Sequence, residues 1–182
     1  MTSGRLPTPG DIGLVAIGGR VGLGIRVGQW LCGDGWHHYE HAFVYVGDDR
    51  IVEAEPGGAR ESSLQRYDLG EIAWLRCPPI YGDRVAAAAR AMAPPQRVPG
   101  VPYSFVDYLA IAAHRVHIPT PRLRAYIDDS GHMICSQLCD RAAEAGGWHL
   151  FDDGRWHGYV RPGDLYRLHR EQRAQAVHDA RP

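Results

Sequence analysis

The stretch that decides the fold is HAFVYVGDDRIVEAE, residues 41–55. Its halves, HAFVYVG (41–47) and RIVEAE (50–55), are rich in β-branched and aromatic residues and flank a Gly-Asp-Asp turn, the pattern of an antiparallel hairpin. His41 and Glu53 are separated by an even number of residues, so a loop centred on Gly47 sets them opposite each other, with Cβ atoms about 4.5–5.5 Å apart. A register slip of one residue would send them to opposite faces. Facing each other, they suit an imidazole held in one tautomer by a carboxylate, as a catalytic base requires. The plainer reading, which these two residues alone favour, is a cross-strand polar pair at a sheet edge.

Outward from the hairpin, LVAI (14–17) reads as a short strand after a Pro-Gly-Asp turn, and EIAWLRC (71–77) as a further β run. The texture changes from residue 82. RVAAAARAMA reads as a helix ending at Pro94-Pro95, and SFVDYLAIAAHRV as a second helix from near Ser104. ICSQLCDRAAEAGG is a third, with Gly146-Gly147 as its stop. Strands followed by helices predict an α+β fold rather than alternating βαβ units. The C-terminal DLYRLHREQRAQAVHDARP reads as a polar helix fraying into a tail, its arginines on a solvated face.

Composition bounds the function. At 182 residues with 45% hydrophobic content, the chain can bury one core, so a single domain over 1–182 is expected. A net charge of −1 lacks the footprint of a nucleic-acid binder. All 20 basic residues are arginines, and neither lysine nor asparagine occurs. That excludes a Schiff-base lysine, a pyridoxal-phosphate anchor, the lysine of a phosphate-binding loop and a Cys-His-Asn triad. Their joint absence also suggests a GC-rich bacterial or phage genome, since both amino acids have A-rich codons. The N-terminus has no basic start and apolar run of a signal peptide, and no stretch approaches a membrane span, so cytoplasmic synthesis is expected.

The four cysteines, Cys32, Cys77, Cys135 and Cys139, are too few for a disulfide scaffold and form no CxxC pair. Cys135 opens a predicted helix, where free N–H groups and the helix dipole favour a thiolate. The alternative is a small buried hydrophobe. Cys139, one turn on, fits that description, in a core with Leu138 and Ala142.

GDIGLV, HAFVYVG, IVEA and the late CSQL run together resemble the NlpC-type papain-like cysteine hydrolases in their circularly permuted form, related to the lecithin retinol acyltransferase group. The resemblance covers about residues 10–147 and leaves 148–182 as a C-terminal extension. It implies an antiparallel sheet packed against helices, with Cys135 as nucleophile, His41 as general base and Glu53 as orienting group. Glu55, two residues along the same strand face, is the alternative for Glu53. The resemblance also implies the backbone N–H of Cys135 in the oxyanion hole, and Tyr103, in PYSF, beside the substrate; alone, Tyr103 reads as a core aromatic. Wall-cutting relatives frequently carry histidine as the third residue, so glutamate here leaves the substrate class open.

Other chemistries fit less well. His37, His38 and His41 with Cys32 and Asp34 lack HExxH order and zinc spacing. The glycines of GGRVGLGIRVG miss the dinucleotide-binding spacing, and no GxSxG elbow is present. No cofactor is expected. Three functions stand: an amidase or endopeptidase on a peptide-like substrate such as bacterial cell-wall peptide, a thioesterase or acyltransferase using the same site, and a non-catalytic module of a phage particle. A virion-associated or released protein is compatible with the first and last.

Overall fold

The computed structural model describes residues 5–17, 38–55, 58–93, 135–157 and 160–180. Within them a five-stranded antiparallel sheet packs against helices, an α+β arrangement. The strands are β1 (Ile12–Val15), β2 (His41–Gly47), β3 (Arg50–Glu55), β4 (Gly58–Ser63) and β5 (Ala73–Leu75), in the order β4-β3-β2-β1-β5. The helices are α1 (Pro79–Met92), α2 (Cys135–Ala145) and α3 (Pro162–Asp179), and a 3₁₀ turn (Leu64–Arg66) follows β4. The predicted helix from Ser104 and the glycine-rich segment 21–33 lie outside the described residues.

Strand alternation divides the core. Ile12, Leu14, Ala42, Val44, Val52 and Leu75 share one face with Val85 of α1 and with Leu138, Cys139 and Ala142 of α2. Val15, Phe43, Tyr45 and Ile51 occupy the other face, covered by Leu64 and Ile72 with Tyr67 and Trp74 packed on them. β2 is thus buried on both faces and occupies the centre of the sheet, and His41 stands at its first position.

The hairpin forms as expected but in a shifted register. Asp48 and Asp49 have φ of 52° and 54°, a two-residue turn of the type that matches strand twist, in left-handed backbone that aspartate tolerates. A bulge between Tyr45 and Gly47 then resets the ladder, so that Phe43, not His41, is the residue opposite Glu53. The ladder is centred one residue beyond Gly47, which moves the partner by two positions and preserves the face. His41 and Glu53 therefore meet diagonally.

Asp11 accounts for the Gly-Asp turn before β1. Its Oδ1 accepts the N–H of Cys77 at 2.8 Å, and its Oδ2 accepts the N–H of Thr8 at 2.9 Å and the Arg76 guanidinium at 2.8 Å. Gly10 has a φ of +88°, and a Cβ there would stand 2.7 Å from the carbonyl oxygen of Gly82, so the turn and α1 approach closely only without side chains.

The C-terminal helix is docked on the sheet by one face. Gln172 accepts the N–H of Arg76 and donates to its carbonyl, both at 2.8 Å, and His169 Nδ1 lies 2.8 Å from the carbonyl of Trp74. These side chains occupy backbone groups in and beside β5, an edge strand that would otherwise expose them. Pro162 starts α3, and Asp164 folds back to accept the N–H of Arg161 at 3.0 Å. The predicted solvated face is the other side, where Arg170 and Arg173 are exposed.

Candidate active site

Cys135 is the first residue of α2, and a network holds that end of the helix. Ser136 Oγ donates to the carbonyl of Val160 at 2.7 Å. Farther along, His157 bridges two acids of the same helix, with Nδ1 2.5 Å from Asp140 and Nε2 2.7 Å from Glu144. At the other end Gly147 takes a φ of +87°, while the Gly146 and Trp148 N–H groups bond back to Ala142 and Ala143, the stop its glycines predict.

The side chains of Cys135 and His41 are hydrogen-bonded to each other. On the far side of the ring, His41 Nε2 lies 3.0 Å from Glu53 Oε2. With Nε2 committed to the carboxylate, Nδ1 is the nitrogen left for sulfur. All three residues are buried, Glu53 completely. Thiol, imidazole and carboxylate form one relay in which Glu53 reaches His41. Glu55 ends β3, its side chain outside the described set, as is Tyr103.

The electrostatics favour an ion pair. Burial opposes the Cys135 thiolate, but the charge and hydrogen bond of His41, with backbone hydrogen bonds from Ala42 and Ser136, hold the thiol below its ordinary value. Burial likewise opposes the His41 imidazolium; Cys135 first and Glu53 second outweigh it and raise it to about 10. Glu53 is also penalised by burial, yet hydrogen bonds from His41, Ser62 and Tyr67 and the charge of His41 hold its carboxyl down at about 2. The remaining described cysteines behave oppositely. Burial, with the charge of Asp11 adding to it, pushes Cys77 up to about 12, and burial with the charges of Cys135 and Asp140 pushes Cys139 well above its ordinary value.

Sequence reasoning did not find the residues that surround Glu53. Tyr67 donates its hydroxyl to Oε2 at 2.7 Å, and Arg66 and Arg60 reach Oε1 at 3.0 and 3.4 Å. The polar segment GARESS, which carries Arg60 and Ser62, gives no alternating signal for the edge strand it forms. Of the five residues weighed as metal ligands from the sequence, Cys32, Asp34 and His37 lie outside the described set and His38 is exposed. Among the described residues, no group of three His, Cys, Asp or Glu side chains is placed to hold a metal ion, and no helix is long and apolar enough to cross a membrane.

No family model and no curated protein matches the chain. The functional reading rests on the geometry of Cys135, His41 and Glu53.

Proposed function

We propose that the protein is a papain-like cysteine hydrolase of the circularly permuted NlpC type that cleaves an amide in a peptide-like substrate, with bacterial cell-wall peptide as the leading candidate. The observation that carries this reading is the relay itself: a thiol at a helix start, hydrogen-bonded to a buried histidine whose other nitrogen is held by a buried carboxylate. A histidine kept merely as a polar pair with Glu53 has no need of a cysteine on its remaining nitrogen.

In this mechanism the Cys135 thiolate attacks the carbonyl carbon, and the oxyanion is met by the backbone N–H of Cys135. His41 passes its proton to the amide nitrogen as the C–N bond breaks, leaving a thioester and a free amine. Water then attacks the thioester, His41 accepts its proton, and the acid departs as the thiolate is restored. Glu53 keeps Nδ1 aimed at sulfur through both steps.

The test is a panel of purified bacterial peptidoglycan, a neutral peptide and a fatty-acyl ester. New amino groups released from peptidoglycan or peptide are expected. Turnover of the ester alone would move the assignment to acyl-chain chemistry, and no turnover by a chain whose Cys135 reacts as an ordinary thiol would leave a non-catalytic module.

A further inference from the structure

Glu53 has more donors than a carboxylate needs to orient one histidine. Its two oxygens offer about four lone-pair sites. Oε2 takes His41 and Tyr67, and Oε1 takes Arg66 and Arg60, with the Ser62 hydroxyl as a further donor. The donors arrive from β2, from β4 and from the 3₁₀ turn with the residue after it. Two guanidinium groups therefore stand against one carboxylate that is fully buried. The Tyr67 ring stacks on Phe43 at 5.3 Å and lies 6.2 Å from the His41 ring, so its hydroxyl is delivered by a packed side chain.

An unscreened buried carboxylate beside an imidazolium would bind the proton too firmly for transfer to a leaving group, because charge interactions strengthen as water is excluded. We infer that Arg66 and Tyr67 are positioning residues that temper Glu53: they fill lone pairs His41 does not use and offset its charge, so that the carboxylate orients the imidazole without trapping its proton. The inference rests on the hydrolase reading of Cys135 and His41. Among the described residues, the titratable and charged groups facing this relay are Arg60 of β4, Arg66 and Tyr67 around the 3₁₀ turn, and Cys139 of α2 beyond the thiolate.

The sign of the effect separates tempering from a merely structural role. Removing the Arg66 charge leaves the cluster more negative, which disfavours the thiolate and moves its formation to higher pH. Removing the Glu53 charge does the opposite. The experiment measures the rate of Cys135 alkylation by iodoacetamide against pH in the full chain, resolved by peptide mass spectrometry.

Arg66→Gln should move the acid limb up by roughly half a pH unit and Glu53→Gln should move it down by a similar amount. Tyr67→Phe, which keeps the stacked ring, should shift it up as well, and should have no effect once Glu53 is Gln. The Arg66 side chain is 44% exposed, so its replacement leaves the fold intact. A limb unmoved or lowered in Arg66→Gln overturns the inference, as does an equal Tyr67→Phe shift with and without Glu53. If wild-type Cys135 instead titrates near the ordinary thiol value of about 8.5, the hydrolase reading itself falls, and the inference with it.

Discussion

Replacing Cys135 by Ala should reduce amide hydrolysis by on the order of 10⁵–10⁶-fold while leaving the fold in place. On the proposed mechanism the thiol alone forms the covalent intermediate, while His41 moves the protons and Glu53 orients His41. The structural cost is small by comparison: alanine removes one sulfur at a helix terminus, and the packing of α2 on β2 depends on Leu138, Cys139 and Ala142. Turnover of the substrate panel and the cooperativity of thermal unfolding should be measured on the same preparation. Wild-type turnover in Cys135→Ala would remove the cysteine mechanism; loss of turnover together with loss of cooperative unfolding would show that the packing argument is wrong.

The second large effect separates His41 from Glu53. On the proposed mechanism His41→Ala removes both the partner that holds the thiolate and the group that would protonate the leaving amine, and is expected to lose at least 10⁴-fold. Glu53→Gln should lose only about ten- to a hundredfold, roughly 1.4–3 kcal/mol, the worth of a hydrogen bond to a charged group. A glutamine carbonyl placed where Oε2 stands still accepts from His41 and Tyr67, while its NH2, a donor only, stands donor to donor against Arg66 and Arg60 and loses the two hydrogen bonds that Oε1 accepted. The expected loss is the charge and those two hydrogen bonds, while the acceptor that orients His41 is kept. The values of kcat/KM on the cleaved substrate check the ranking, and a Glu53→Gln variant as inactive as His41→Ala would assign the carboxylate a larger part than orientation.

The hairpin was legible because HAFVYVG and RIVEAE carry their own pattern: apolar residues on both faces of a central strand, a turn of two aspartates and little else that the segment could form. Its register was less legible, because the bulge at Tyr45 and Gly47 depends on how the turn joins the ladder and not on periodicity. The diagonal approach of His41 and Glu53 survived this shift only because a displacement by two positions keeps the face. Cys135 could be singled out by its place at a helix start, a local property. The shell around Glu53 could not, since Arg60 and Ser62 come from a polar edge strand and Arg66 and Tyr67 from the turn after it. What joins them is the tertiary demand of a buried carboxylate for donors. The same holds for α3, whose helical character is plain in the sequence but whose docking rests on Gln172 and His169 meeting backbone groups at the edge of the sheet.

The most direct test of the activated thiol is brief iodoacetamide labelling of the native chain near pH 6.5, followed by peptide mapping. His41 and the backbone groups of Ala42 and Ser136 lower the Cys135 thiol, while burial raises Cys77 and Cys139, so the three described cysteines should differ sharply. The account predicts that Cys135 is modified first, with Cys77 and Cys139 unlabelled over the same interval. Label appearing first on Cys77 or Cys139, or Cys135 remaining unreactive in the folded protein, would contradict it.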